Sequence, residues 1–302
     1  MAVVVACTND TNPRSADSSS SLPPGVVTTT TPADAATTLI TSTDGYLIAV
    51  DTEDATNTQI ISVRAPASPD DPGSPSVDVA VEHHACFIEG SNGRFAMPVE
   101  PGPGTGDVPT WGIFQLTGTS VGSFAVSFVT TLGTPVYQTP DPEQDARPYG
   151  CASLSDGRLV TTDLGTDGDA NGQLTVWFGP FDDPQSITSC RVDVGLAEPR
   201  GIWADEQDRV LVASSAAPTV GVWRYSRLPT SADPSGGCGA TDPEGAPLAD
   251  SARKDSFIAA GPNGLTAPSG ITGSVDSGIF VSSGASGTIN EYDANGEYRA
   301  TV

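Results

Sequence analysis

The sequence predicts an all-β chain, a β-propeller of four-stranded blades with five sheets visible, and three observations carry that expectation. Gly and Pro are abundant, at 33 and 26 of 302 residues, and both break helix interiors, so the composition favours strands and turns. No apolar period of helical spacing extends far enough to compete. Finally, one short module recurs. Pro148-Tyr149-Gly150, Pro199-Arg200-Gly201 and Pro268-Ser269-Gly270 each open a short strand, and nine residues after each Gly an apolar residue (Leu159, Val210, Ile279) starts a second. A β-sandwich with chance similarity between hairpins leaves that shared offset unexplained.

The modules read in order along the chain. The clearest three turn through Ser155-Asp156-Gly157, Glu206-Gln207-Asp208 and Asp276-Ser277-Gly278, residues suited to tight hairpins. A third strand follows in each, ending on an aromatic residue: Leu174 to Trp177, Gly221 to Tyr225, and Thr288 to Tyr292. Two weaker copies lie upstream. One runs through His84–Ile88, Arg94–Met97, Trp111–Leu116 and Phe124–Val129, and the other through Tyr46–Val50, Gln59–Val63 and Val77–Val81. A repeat of this length carrying three or four strands is a propeller blade. Alternation along the strands places Leu159, Val210 and Ile279 between neighbouring sheets. The propeller domain spans residues 39–302, with a polar insertion at 229–256 lengthening the fourth module.

Charge narrows the partners. Asp and Glu number 37 against 13 Lys and Arg, a net charge of −24, so nucleic acid and anionic lipid are excluded as charge-driven partners. Residues 8–38 are nearly all Ser, Thr, Pro, Ala, Asn and Asp. Such a stretch buries too little apolar area to offset its ordering entropy, and it reads as a disordered tether. Before it, residues 1–7 end in Val4-Val5-Ala6-Cys7, which resembles the lipobox of bacterial lipoproteins. That resemblance implies a truncated signal peptide, lipidation at Cys7, membrane contact through that lipid alone, and an extracytoplasmic address in the periplasm or at the cell surface. The competing reading is a misplaced start codon before an ordinary Cys. Setting Cys7 aside leaves Cys86, Cys151, Cys190 and Cys238, enough for two disulfides in an oxidising compartment with three connectivities open. No C-x-x-C occurs, so neither a zinc ribbon nor a thioredoxin-type site is on offer.

The segment from Gly261-Pro262-Asn263-Gly264 through Pro268-Ser269-Gly270-Ile271, Gly278-Ile279-Phe280-Val281-Ser282 and Ile289-Asn290-Glu291-Tyr292-Asp293 resembles one NHL-type repeat. The likeness is good over this module, fair over the two before it and weak before Pro148. NHL repeats build six-bladed propellers, in a wider group that includes gluconolactonases and streptogramin lyases. The resemblance implies a six-bladed ring whose C-terminal end is incomplete here; the alternative is that five blades close without a shared blade. In such a ring Cys86 and Cys151 occupy matching inner-strand positions in successive blades, while Cys190 lies on an outer strand and Cys238 in the insertion that it staples. The pairs favoured are therefore Cys86–Cys151 and Cys190–Cys238.

The same resemblance supplies a test of chemistry. Gluconolactonase-like enzymes hold a divalent cation at the channel mouth with Glu, Asn and Asp. The matching positions here are Tyr149, Arg200 and Ser269, a poor set for a hard cation. Asn263 precedes the Pro-x-Gly by several residues and reads as a turn. A lyase needs a catalytic His, and the chain has only His83 and His84. Neighbours on a strand face opposite ways, so only one can line the channel; His84 is carried as that residue, beside the plainer reading of a polar strand start. Gly118-Thr119-Ser120-Val121-Gly122 matches an esterase elbow by letters, but no helix follows it, and it reads as a hairpin turn.

Asp167-Gly168-Asp169-Ala170-Asn171-Gly172 matches the first half of a calcium loop. Asp167, Asp169 and Asn171 are thus candidate ligands of a structural calcium, the one cofactor suggested. Phe178 stands where the closing Glu belongs, which favours an acidic, solvated turn. Trp177, Trp223 and Tyr292 read as packing between blades. Arg200, a cation at a channel-facing position in a very acidic chain, is either an anion site or half of a salt bridge. The expected function is a tethered, extracytoplasmic propeller that binds a protein or small ligand through His84, Tyr149, Arg200 and Ser269 at the channel mouth, with no catalytic residues. The alternatives are a metal-dependent lactonase or lyase with diverged ligands, and a purely structural surface protein.

Overall fold

The computed structural model describes residues 37–41, 47–51, 59–64, 81–99, 110–118, 125–133, 147–166, 169–183, 185–242, 245–274 and 278–302. Their strands form five sheets, and helix is confined to two single 3₁₀ turns, Pro234–Gly236 and Pro262–Gly264. No helix among these residues is long and apolar enough to cross a membrane. Cys7 and the tether up to residue 36 lie outside the described residues.

Blade 1 is an antiparallel meander of β1 (Thr37–Thr41), β2 (Leu47–Asp51) and β3 (Gln59–Arg64). Strand β4 (Val81–His84) joins it alongside β1, running parallel. Blade 2 follows with β5 (Cys86–Phe87), β6 (Arg94–Val99), β7 (Thr110–Thr117) and β8 (Ala125–Thr131). The inner strand expected at His84–Ile88 is therefore divided at Ala85, where the chain passes from blade 1 to blade 2. Of the strand expected at Val77–Val81, residues 77–80 lie outside the described residues and Val81 opens β4.

Blade 3 comprises β9 (Pro148–Ser153), β10 (Leu159–Asp163), β11 (Gly172–Phe178) and β12 (Thr188–Leu196). Blade 4 begins with β13 (Pro199–Ala204), β14 (Val210–Ser214) and β15 (Gly221–Ser226). The insertion then supplies β16 (Ala240–Thr241) and β17 (Pro247–Leu248), after which β18 (Arg253–Ala259) completes the blade. Blade 5 is β19 (Pro268–Ser274), β20 (Gly278–Ser283), β21 (Thr288–Tyr292) and β22 (Tyr298–Thr301).

The second strand of each blade shows why the sheets stack. Leu159 packs with Ile88, Trp111 and Ile113 of blade 2, while its neighbour Val160 packs with Ile202, Val210 and Val212 of blade 4. Leu211, next to Val210, turns the other way onto Ile279, Val281 and Tyr292 of blade 5. Both faces of β10 and β14 are thus buried, which is why residues 159–162 and 210–214 read as unbroken apolar or neutral runs. Ile279 is 4% exposed and faces blade 4, as alternation requires.

The innermost strands meet even more closely. A Cβ built on Gly150 would lie 2.6 Å from the Arg200 carbonyl oxygen, and one on Gly201 would lie 2.5 Å from that of Ser269. Glycine at this point of Pro-x-Gly lets one inner strand rest on the backbone of the next. Thr162 Oγ1 spans the first seam, accepting from Gly150 N (2.9 Å) and donating to Arg200 O (2.8 Å). At the opposite end of the strands, the hairpin tips of blades 3 and 4 are joined by Ser155, whose amide and hydroxyl both donate to Asp208, each at 2.8 Å. Asp208 takes a left-handed φ of 55° to close its own tight turn.

Two disulfides add covalent ties. Cys86–Cys151 links β5 to β9 with Cα atoms 5.8 Å apart, and Cys190–Cys238 fastens the insertion to β12 at 6.1 Å. The insertion reaches back to blade 3 rather than standing away from the ring. Strand β17 pairs parallel with β12 and carries β16 on its other side, making that sheet six-stranded, and Arg191 and Asp242 form a buried ion pair across the join. Residues 253–256, expected within the insertion, already belong to β18.

Asp193 of β12 ties blades 3 and 4 on their outer side. It accepts from the Tyr225 phenol (2.6 Å) and pairs with Lys254 (2.6 Å), whose ammonium lies 4.5 Å from the Trp223 ring centroid. Burial, and then the Asp193 charge and hydrogen bond, push the Tyr225 phenol far above its ordinary range.

Two outcomes follow from these seams. Gly150→Ala and Gly201→Ala should each lower stability by about 1–3 kcal/mol in urea unfolding. Gly195→Ala, with its nearest neighbour at 3.7 Å, should stay within about 0.5 kcal/mol of wild type. Because the folded phenol of Tyr225 stays protonated where the unfolded one ionises, stability is intact below its ordinary value of 10.0 and falls as pH rises above it. Unfolding midpoints measured from pH 8 to 11 should therefore drop more steeply in wild type than in Tyr225→Phe, by up to about 1.4 kcal/mol per pH unit.

Candidate functional site

The chain enters the inner strands of blades 3, 4 and 5 through loops of one design. The residue after each second strand donates its amide to the carbonyl just before the proline: Leu164 to Arg147 (2.9 Å), Ser215 to Glu198 (3.1 Å) and Gly284 to Ala267 (3.0 Å). The last residue of each second strand adds a side-chain latch. Asp163 accepts from Arg147 N (3.0 Å), Ser214 donates to Ala197 O (2.7 Å), and Ser283 accepts from Thr266 N (2.9 Å). A short polar side chain at that position satisfies lead-in backbone groups that would otherwise be buried without partners. The lead-in loops are thereby fixed, and the side chains they carry point from a rigid frame.

The frame holds one charged cluster. Arg200, at the middle of Pro199-Arg200-Gly201, donates through Nη2 to Glu198 (3.0 Å) and through Nε to Ser215 Oγ (3.0 Å). Ser215 Oγ donates to the same Glu198 oxygen (2.8 Å), closing a triangle. Tyr149, the matching residue of blade 3, lies with its ring centroid 5.6 Å from the Arg200 guanidinium carbon, within reach of a cation–π contact. Burial works against the Arg200 charge, but hydrogen bonding to Glu198 and support from Tyr149 outweigh it and hold its pKa above the ordinary value. Glu198 itself has a φ of 49°, as does Ala267 at 48° in the equivalent place in blade 5. A left-handed conformation costs a non-glycine residue about 1 kcal/mol, and at Glu198 the carbonyl and carboxylate contacts together maintain it.

Tyr149 and Arg200 are thus brought together, and Glu198 and Ser215 bond to Arg200. Neither was among the residues singled out from the sequence; an acid two positions before Arg200, across a proline, is the signal that marks Glu198. Ser269 bonds within its own blade. It is 7% exposed, and its hydroxyl is 3.0 Å from Ser282 Oγ within blade 5. His84 pairs with Leu39 through β4 and β1, while its side chain falls outside the described residues. Ser120 of the Gly118–Gly122 segment also lies outside them.

The acidic loop between β10 and β11 is held from within. Asn171 accepts from Thr166 N (2.9 Å) and donates to Thr166 Oγ1 (2.8 Å), so its carboxamide spans the turn. Asp169 is exposed, and Asp167 lies outside the described residues. Among the described residues no three His, Cys, Asp or Glu side chains converge to hold a metal ion. What the mouth offers chemically is a neutralised, hydrogen-bonded platform of one cation, one carboxylate, a hydroxyl and an aromatic ring. Such a set suits recognition of a polar ligand.

No family model and no curated protein matches the sequence. Solved structures with a similar path include virginiamycin B lyase from Staphylococcus aureus, at a TM-score of 0.49 and 14% identity over 92% of this chain and 72% of that one. A streptogramin B lyase has a TM-score of 0.46 and 14% identity over 92% and 71%. A gluconolactonase from Xanthomonas campestris has 0.42 and 16% over 88% and 75%. The propeller assignment rests on the strand pairing and packing within this chain, and fold does not transfer activity.

A double-mutant cycle on Arg200→Met and Glu198→Gln should give a coupling of about 1 kcal/mol, the upper range for a partly exposed pair. Additive losses would show that the triangle contributes no stability of its own.

Proposed function

We propose that this protein is an extracytoplasmic, membrane-tethered propeller that acts as a binding module for a small ligand or a protein, and that it is not itself a catalyst. The ligand is taken at the channel mouth, on the platform of Tyr149, Glu198, Arg200 and Ser215. One observation carries the reading. The charged groups of the mouth engage one another, since one Glu198 oxygen accepts from both Arg200 (3.0 Å) and Ser215 (2.8 Å). A carboxylate so engaged is a weak general base, and a serine donating to it has no imidazole to take its proton. Rigid loops carrying polar side chains suit recognition instead.

The address is proposed on separate grounds. Val4-Val5-Ala6-Cys7 and the polar stretch after it fit a lipid anchor and tether, and two disulfides fit an oxidising compartment.

The decisive experiment is a turnover assay on the purified chain with gluconolactone and with virginiamycin B, each with added divalent cations and with chelator. No acceleration over background is expected in any condition. Cation-dependent turnover that chelator abolishes would replace the binding module with an enzyme.

A further inference from the structure

A second concavity lies at the other end of the ring, where the β5–β6 and β9–β10 hairpins and the β11–β12 loop converge between blades 2 and 3. It has a volume of about 470 Å³, within the size range of small-molecule sites. Phe178 and Phe181, 8% and 5% exposed, form an apolar wall, and Ser91 and Thr230 place hydroxyls along it.

Two arginines line this groove, and they differ in how they are used. Arg158 is fully engaged: Nε donates to both oxygens of Asp156 (2.9 and 2.7 Å), and Nη1 reaches the carbonyl oxygens of Leu228 and Pro229. Asp156 is thereby neutralised, and its carboxyl pKa is held below the usual value. Arg94 is held more loosely among the described residues. Its Nε is buried without an acceptor, and the nearest carboxylate is that of the exposed Asp182, 3.8 Å from Nη2. The Arg94 side chain is 24% exposed and lines the groove, and the accessible part of a guanidinium offers a carboxylate charge-assisted hydrogen bonds. Glu89, at the exposed rim of the groove, and the exposed Asp182 each add a negative charge, so a multiply charged anion is disfavoured, and a single carboxylate on Arg94 takes the place of Asp182.

We propose that the groove between blades 2 and 3 binds a small molecule carrying one carboxylate on an aromatic or branched apolar body. The carboxylate pairs with Arg94, and the body lies against Phe178 and Phe181. This site is separate from the channel mouth and stands whether or not that mouth binds a ligand.

Isothermal titration of the intact protein with N-acetyl-L-phenylalanine, and with its amide as the neutral control, tests the assignment. The acid should bind at least about tenfold more tightly than the amide, the factor a charge-assisted pair supplies. Arg94→Gln should lower acid affinity by a similar factor, and Arg200→Gln should leave it unchanged. Thr230→Trp fills the groove from its exposed rim without touching the arginine, and should weaken acid and amide alike. Equal binding of acid and amide, no binding of either, or acid affinity indifferent to both groove variants would overturn the proposal. Tighter binding of the tripeptide Ala-Ala-Phe than of the acetylated amino acid would overturn the small-molecule class in favour of a chain end.

Discussion

The distance between successive inner strands constrains everything else in this molecule. Where Gly150 meets Arg200 and Gly201 meets Ser269, no atom larger than hydrogen fits between backbones. That approach sets the angle at which blades fan from the axis, and so which apolar rows come into register outside it. Leu159, Val210 and Ile279 are buried because the strands behind the glycines are already fixed. The hydrophobic seams then supply the bulk of the stabilisation that the close approach only permits. At the blade 2–3 seam a disulfide, Cys86–Cys151, ties the innermost strands, and within blade 1 β4 pairs directly with β1 before the chain enters blade 2.

The same geometry prepares the channel mouth. Each lead-in loop is closed by a backbone bond and by a polar residue ending the second strand, so Pro-x-Gly begins from a determined position. Arg200 and Tyr149 face each other because the residues between their prolines and glycines are equivalent in adjacent blades. Glu198 is held in a left-handed conformation by contacts that also fix its carboxylate, an instance of local strain maintained where side chains must be placed. Charge balance is reached within the cluster, although the chain as a whole is strongly acidic.

Much of this could be read from the residues. The nine-residue offset after Pro-x-Gly located the second strands of blades 3, 4 and 5 to within a residue, because glycine at the inner strand and the first apolar residue of the next strand answer to one local geometry. Turn chemistry located the hairpins for the same reason. What the sequence did not disclose depends on contacts distant along the chain. Strand β4 lies beside β1 through a parallel pairing that no local pattern encodes. Strand β17 extends blade 3 although it lies between the third and last strands of blade 4 in sequence, because Cys238 and Asp242 find Cys190 and Arg191. The partnership of Glu198 with Arg200 was within reach of sequence reading, being two residues apart, but the proline between them suggests divergence until the left-handed turn is known. Arg94 could not be picked out among the arginines, since its loose engagement, with one carboxylate at 3.8 Å, is a property of packing alone.

The account stands on consecutive blades meeting along their innermost strands, with the insertion folded back on the preceding blade. Peptide mapping of the oxidised protein under non-reducing conditions tests this most directly. The cysteine-containing peptides should be recovered as Cys86 joined to Cys151 and Cys190 joined to Cys238. Recovery of Cys86 with Cys190 or Cys238, or of four free thiols under oxidising conditions, would contradict the arrangement of blades described for this chain.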